Sequence, residues 1–339
     1  MSKRVVYFNG RFVEESEARV SVFDSALLFG DMAFEATRTF NRKPFRLRDH
    51  LKRLYASLRL LEIDCRLSLE QMEDATLETL KKNIETETPD VDWQITHDVS
   101  RGPLDVYASA FPEGLHPTVI ISCWPLVRQM GDFAAHFQNG VRMVIPAQSA
   151  LPAHLLDPKA KTRSRLHYQM AQLQARRMGE GSWALLLDPD GFIAEGPGWN
   201  IFLVKDNVIY TPEPRNILQG VSRAMTIELA KKLRIPVRES NLGRYEALQA
   251  DEIFTTSTPH CLVHASTFEG QVVGDGKPGP VFERLMEAWK ELVGLDFVAQ
   301  ARAYESCMDE WEKQSVNMDD LRPSADLPPE VVPASYCST

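Results

Sequence analysis

Three stretches of the chain carry side chains suited to reactive chemistry. The first is Asp188 to Pro212, DPDGFIAEGPGWNIFLVKDNVIYTP, in which Glu195 lies between apolar runs and close to Gly196 and Gly198. A carboxylate buried there needs a cationic or protonated partner, because burying it alone is very costly. An exposed glutamate at a strand end is the simpler alternative. The second stretch, DPKAKTRSRLHY, offers two amines, Lys159 and Lys161. Lysines are usually solvated surface groups, so residue type alone selects neither. The third is Leu218-Gln219-Gly220-Val221-Ser222-Arg223. Its glycine gives a turn, and the free N–H groups at the start of a following helix aim at an anion.

The order of residues adds what their types leave open. The run E-G-x-x-x-N-I-F-L-V-K from Glu195, followed by Tyr210-Thr211-Pro212, resembles the class IV, fold-type IV, pyridoxal-phosphate aminotransferases. That family includes branched-chain and D-amino-acid aminotransferases, (R)-selective amine transaminases and aminodeoxychorismate lyase. The resemblance covers roughly residues 5 to 295. It implies that Glu195 pairs with the pyridine nitrogen of pyridoxal 5'-phosphate, keeping it protonated so that the ring acts as an electron sink. It also implies a Schiff-base lysine about 32 to 34 residues before that glutamate. Here 195 − 161 = 34 and 195 − 159 = 36, and Ser164-Arg165-Leu166 matches the lyase branch at the third to fifth positions after its lysine. Lys161 is therefore the expected Schiff-base residue, and Lys159 its solvated neighbour. FRLRDHLKRL, from Phe45 to Leu54, is similar to the segment whose last arginine binds the cofactor phosphate, which makes Arg53 that residue. A guanidinium fork suits a phosphate bidentately. Leu218, Val221 and Ser222 match a second cofactor-binding element and Thr258 a third.

The resemblance is looser for the substrate. LLFGDMAFE is similar to a loop facing the pocket, with Phe29 and Phe34 expected to line it and Arg38 to point into it. Branched-chain members bind the substrate carboxylate partly through backbone N–H groups after the threonine. Pro259 has none at that position. Their Tyr-x-Arg and the D-amino-acid members' Arg-x-His are also absent from Trp93-Gln94-Ile95-Thr96 and from Leu104 to Ser109. Arg38, Arg101, Arg163, Arg165 and His260 are alternative anchors. Transamination between an amino acid (or amine) and a 2-oxo acid is the preferred reaction, and a homodimer the expected assembly. A lyase of the aminodeoxychorismate type and an (R)-selective amine transaminase are rivals. A non-catalytic cofactor carrier is disfavoured, since it would not need both Lys161 and Glu195.

These residues require a particular scaffold. The implied fold is mixed α+β and α/β: a small domain over 1–124, a loosely patterned linker at 125–139 that carries Gly131, a larger β-barrel-like domain over 140–300 and a partly disordered extension at 301–339. Asn9-Gly10 predicts a hairpin. Strands are expected at Val20 to Phe23, Ala33 to Phe40, Trp93 to Val99, Thr118 to Ser122, Val141 to Ile145, Ile201 to Val204, Val208 to Tyr210 and Asp251 to Thr256, with Leu27 to Asp31 a loop. Helices are expected after an Asp49 N-cap, after a Ser68 cap, and over Ser164 to Arg177, Gly220 to Leu233 and Pro280 to Val293. From about Ser315 the chain is rich in Pro, Asp and Ser and cannot bury enough apolar surface to order itself.

Composition excludes other classes. With 339 residues, 44% hydrophobic and 25% charged, the chain is an ordinary globular sequence. A net charge of −9 argues against nucleic acid or anionic membrane as the main partner. The five cysteines are scattered, without a CxxC pair, which suggests neither a disulfide framework nor a zinc site. No signal peptide or membrane span is indicated, and a reducing cytoplasm is the expected location.

Overall fold

The computed structural model describes residues 4–85 and 91–315. Asn9 and Gly10 both have positive φ (48° and 87°), so the twist of the turn matches that of the strands it joins, β1 (Val5–Phe8) and β2 (Arg11–Glu14). The next elements are α1 (Ser25–Phe29), β3 (Met32–Phe40), β4 (Lys43–Pro44), α2 (Leu47–Leu60), α3 (Leu69–Ile84), β5 (Trp93–Ser100) and β6 (Thr118–Pro125). The six strands form an antiparallel sheet ordered β2-β1-β6-β5-β3-β4. β5 alternates buried and half-buried positions along most of its length, as a strand with one covered face should. Helix α2 covers that face through Leu51, Leu54 and Leu58, which meet Met72 and Leu80 of α3 and Trp93 and Ile95 of β5. Each such side chain contributes about 1.5–3 kcal/mol by leaving water.

A helix α4 (Val127–Asn139) leads to the second half: β7 (Val141–Val144), α5 (Leu166–Met178), β8 (Ser182–Ala184), β9 (Asn200–Lys205), β10 (Val208–Pro212), α6 (Val221–Lys232), β11 (Val237–Ser240), α7 (Arg244–Leu248), β12 (Glu252–Ser257), β13 (Cys261–Phe268), β14 (Gln271–Val272), α8 (Pro280–Val293) and α9 (Phe297–Ser315). Its eight-stranded sheet runs β11-β10-β9-β12-β13-β7-β8, with β14 paired to β13. The β10–β11, β13–β7 and β7–β8 pairs are parallel. All residues of β12 are buried, and β9 is exposed only at its last residue, in keeping with strands covered on both faces.

Several local expectations need correcting. Val20 to Phe23 is not a strand and is largely exposed. Leu27 to Asp31 is not all loop: Asp24 accepts from the Ala26 N–H and Gly30 closes the turn at φ 67°, which is enough for the short helix α1. Asp49 lies in the first turn of α2, whose N-cap is Arg46 in the left-handed region; Ser68 does cap α3, in a reciprocal box with Gln71. The 125–139 stretch is not loosely patterned, since α4 buries Val127, Met130, Gly131, Ala134 and Phe137 on one face. Gly131 resembles a breaker in sequence. It is there because a Cβ would come within 3.1–3.2 Å of the Glu305 backbone on α9. Residues 301–315 are likewise helical, part of α9, with Ala301 and Tyr304 buried; the Pro-rich tail beyond Ser315 lies outside the described residues. Helix α5 starts at Leu166, two residues later than the spacing predicts.

Two connections tie the halves together. Residues 161–163 lie along the free edge of β3: Phe34 N–H donates to Lys161 O, Arg163 N–H to Met32 O, and Ala33 bridges Thr162. Behind the sheet, Arg38 is buried and donates to Pro259 O on the β12–β13 turn (2.6 Å) and to Gln300 Oε1 on α9 (3.2 Å).

Candidate active site

A cleft of about 810 Å³, counting the space at its opening to solvent, lies between the 161–165 segment, the start of α6 and the ends of β9 and β12. It is where the three reactive stretches meet. Lys161, Glu195, Arg53, Leu218, Val221, Ser222 and Thr258 all line it.

Lys161 is held by its backbone, its N–H donating to Ser57 Oγ of α2 (3.0 Å) and its carbonyl accepting from β3. Its ammonium sits 4.3 Å from the centre of the Phe34 ring. Burial, with Arg53 nearby, lowers its pKa to about 7. An amine tuned that far is partly neutral at ordinary pH and can act as a nucleophile or a base. Lys159, two residues earlier, instead pairs with Asp157 (2.9 Å) and donates to Arg215 O.

Glu195 is buried, and burial raises its pKa. Tyr168 OH donates to its Oε1 (2.8 Å), while Asn200 Nδ2 (2.9 Å) and the Leu218 N–H (3.0 Å) donate to Oε2. These three donors are all neutral, so the carboxylate has no cation hydrogen-bonded to it. Arg165 and Lys161 act on it through space, and a protonated ring nitrogen would fit as a hydrogen-bonded cation. Gly196 cannot be replaced without moving Trp199, because a Cβ would run into the indole ring.

Arg53 reaches the cleft with its fork already engaged. Nε and Nη2 donate to the two oxygens of Glu35 (2.5 and 2.9 Å), and Nη1 donates to Gln219 O (2.9 Å). Glu35 is fully buried and also meets His50 Nδ1 at 2.9 Å. Burial alone would raise its pKa, but Arg53 and His50 outweigh burial and hold the carboxyl well below its usual range. Opposite Arg53, α6 begins at Gly220 without a side-chain cap, leaving its first N–H groups for an anion. A Cβ on Gly220 would strike Asn200 Oδ1, so the turn and the Glu195 clamp share one close contact. The amine, the buried carboxylate and the Arg53–α6 anion seat together fit an aldehyde, a basic ring nitrogen and a phosphate.

The expected substrate residues are dispersed. Phe34 lies under Lys161, and Phe29 is exposed at an adjoining mouth shared with Arg163 and Arg165. Arg38 is committed to Pro259 O and Gln300 and does not line the cleft. Arg101 is tied to Asp31 and to the carbonyls of Leu61 and Glu62, also away from it. Pro259 turns its carbonyl toward Arg38. His260 is buried against Ser257 Oγ (2.8 Å) and stacked on Phe133; burial drives its pKa down to about 3, so it carries no charge for a carboxylate. Tyr168, Glu35 and Asn200 carry no role in the sequence reading. Tyr168 follows Lys161 by seven residues on the first turn of α5, a position from which it could have been suspected as a partner of Glu195. Glu35 stands in F-E-A-T-R, and its burial has no signal in the sequence.

The profile of the family described as amino-transferase class IV matches residues 32–268. The chain belongs to the class IV aminotransferases. It is 36% identical over 288 residues, 85% of its length, to a Methanocaldococcus jannaschii protein provisionally named a branched-chain-amino-acid aminotransferase, of which it covers 96%. It is 30% identical to the branched-chain-amino-acid aminotransferase of Pseudomonas aeruginosa, covering 85% of this chain and 92% of that one. Among solved structures, the branched-chain amino acid aminotransferase of Escherichia coli superposes with a TM-score of 0.77 at 29% identity, over 86% of this chain and 95% of that chain. The T.th. branched-chain amino acid aminotransferase in complex with N-(5'-phosphopyridoxyl)-L-glutamate gives 0.75 at 29% identity, over 90% and 98%. The fold is therefore fold type IV, and the protein is a pyridoxal-phosphate-dependent transaminase of this class.

Proposed function

We propose that the enzyme moves an amino group between an aliphatic amino acid of the branched-chain type and a 2-oxo acid, using Lys161 as the covalent amine. The observation that supports this most is Lys161 itself: an amine with a pKa near 7 in the same cleft as Glu195, whose carboxylate is fixed by three neutral donors. The names of the relatives supply the branched-chain substrate class, and Leu151, Leu156 and Trp199 give the cleft apolar wall for such a side chain.

When bound, pyridoxal 5'-phosphate supplies an electron sink for the substrate's Cα. In this reading the Lys161 amine would hold the cofactor through its aldehyde and, once freed by the amino donor, would take up and return the proton at the substrate's Cα. Glu195 keeps the ring nitrogen protonated, and Tyr168, Asn200 and the Leu218 N–H keep Glu195 oriented. Arg53 and the N–H groups of Val221 and Ser222 bind the phosphate, with Thr258 at its edge. We assign the first sheet, residues 1–124, to a small domain and residues 140–300 to the cofactor-binding domain.

Two coarser expectations belong to the same proposal. A homodimer would cover the apolar side chains left exposed near the cleft mouth, among them Phe29, Leu166 and Met170. A reducing cytoplasm suits the free thiols of Cys65, Cys123, Cys261 and Cys307. Among the described residues no helix is long and apolar enough to cross a membrane.

The test is the visible spectrum of the cofactor-loaded protein before and after L-leucine. Conversion of the cofactor to its amine form, with release of the matching 2-oxo acid and recovery on adding 2-oxoglutarate, is the expected result. Pyruvate release without an acceptor would replace this reading with the lyase. Turnover of simple aralkyl amines but not of amino acids would replace it with the amine transaminase.

A further inference from the structure

Three cations converge on the ring of Phe34. Arg163 lies 3.8 Å from its centre, Lys161 4.3 Å and Arg165 5.5 Å. Each attraction to the ring is modest, about 0.5–1 kcal/mol at exposed sites and more when desolvated. Like charges this close repel unless anions compensate them. Arg163 has its anion, Asp98 Oδ1 at 2.8 Å. Lys161 has the covalent role proposed above. Arg165 is left. It leans on the Tyr168 ring at 4.7 Å and lines both the cleft and its mouth. Among the described residues no carboxylate or carbonyl accepts a hydrogen bond from its guanidinium, although burial already disfavours its charge.

Arg53 in the cleft, and Arg38 and Arg101 outside it, behave differently. Arg53, Arg38 and Arg101 each spend their donors on protein oxygens. A guanidinium with five donors, held by two rings and given no acceptor, is poised for a ligand that brings two oxygens. Backbone capture on the far side is impaired, since Pro259 has no N–H and its carbonyl faces Arg38.

We propose that Arg165 is the anchor for the α-carboxylate shared by the amino donor and the 2-oxo acid acceptor, which restricts the substrates to 2-amino and 2-oxo acids. The proposal rests on the aminotransferase reading above and assigns it a specificity-determining residue. The apolar mouth beside Arg165, formed by Leu151, Leu156 and Leu166, is then left for the substrate's side chain.

The test compares the cofactor-loaded wild type with Arg165→Gln, Arg165→Met and Arg165→Lys. Three quantities are read: cofactor affinity from the bound absorbance, equilibrium binding of pentanoate as an unreactive carboxylate, and KM for L-leucine and for 2-oxoglutarate. Losing a charge-assisted pair of hydrogen bonds weakens binding roughly ten- to a hundredfold. Arg165→Gln and Arg165→Met should therefore weaken pentanoate binding and raise both KM values by that factor, with cofactor affinity unchanged. Arg165→Lys should recover part of the loss, because it restores charge without the fork. The methionine keeps contact with Phe34 and Tyr168, so a folding defect confined to Arg165→Gln does not blunt the test. Unchanged pentanoate affinity and KM in a folded variant would overturn the proposal. So would weakened cofactor binding, which would assign the guanidinium to the cofactor. Failure of the wild type to transaminate any 2-amino acid would instead overturn the underlying reading, and the two failures are distinct.

Discussion

The two sides of the cleft are built on different principles. On one side, Arg53 is bonded to Gln219 O, and Leu218, Asn200 and Glu195 are locked to each other through hydrogen bonds, several of them to backbone. On the other, Arg165 and Phe29 project from segment ends with few polar partners, and most of the nearby arginines are spent on structural work. A cofactor stays in place through every turnover, so its seat can be rigid and local. A substrate is exchanged every turnover, and its groups must be left unpaired until it arrives. The contrast can be broken or sharpened by substitution.

The largest effect is expected at the centre. Lys161→Ala should abolish the absorbance of the lysine-bound cofactor and lower turnover on the order of 10⁴-fold or more. Lys159→Ala should spare both, because Lys159 is paired with Asp157 outside this chemistry. Borohydride reduction and peptide mapping check the pair; label on Lys159 would reverse the assignment.

Arg53→Ala comes next and has two consequences. It should weaken cofactor binding roughly ten- to a hundredfold. It also strands the buried Glu35 carboxylate, at a cost of about 3–5 kcal/mol in stability. Adding Glu35→Gln should restore most of the stability and none of the affinity. Equilibrium denaturation and cofactor titration separate the two, and a rescue of affinity would mean that Arg53 acts on Glu35 alone.

Arg38→Ala should unfold more readily, by about 2–4 kcal/mol, since Pro259 O and Gln300 lose a buried donor. KM in the surviving folded enzyme should hold. A rise in KM with unchanged stability would return Arg38 to the substrate side.

Lys161→Met gives a pH signature in the apoprotein. The folded-state pKa is lowered from 10.5 to about 7, so between these values the unfolded chain binds more protons. Wild-type stability therefore rises with pH across that window, and the burial penalty is fully present below pH 7. Lys161→Met should be the more stable protein by up to about a few kcal/mol below pH 7, and lose that advantage by pH 10.5. A pH-independent difference would show that the ammonium is solvated. The smallest effect is expected for Arg101→Ala, whose half-exposed pair with Asp31 is worth about 1 kcal/mol or less.

The sequence was legible where function is encoded in the backbone. Gly196, Gly220 and the N-I-F-L-V-K strand fix local geometry, so Lys161, Glu195, Arg53, Leu218, Val221, Ser222 and Thr258 could be named and the cleft gathers them all. Asn9-Gly10 and Ser68 specified their own turn and cap for the same reason. Side-chain aim is set by tertiary partners, and there the reading thinned. Arg38 sits on the right strand, but its side chain is claimed by Gln300, 262 residues away. The proton on His260 is decided by burial, then by His136 and Arg38, none visible from its neighbours in the chain. Gly131 read as a break because the helix that needs its missing Cβ is α9, the last element of the described chain.

Arg38 has one more consequence, which concerns the order in which the chain is made. Its partners, Pro259 and Gln300, emerge from the ribosome long after the six-stranded sheet has the residues to form. Until then two of its donors lack their protein acceptors, which disfavours burying the β3 region that carries it. The Lys161 segment pairs with the other end of that strand. Nascent chains halted before residue 259 should accordingly show an open β3 and a protease-sensitive 161–163 segment, and α9 becomes the last piece whose arrival sets the cleft.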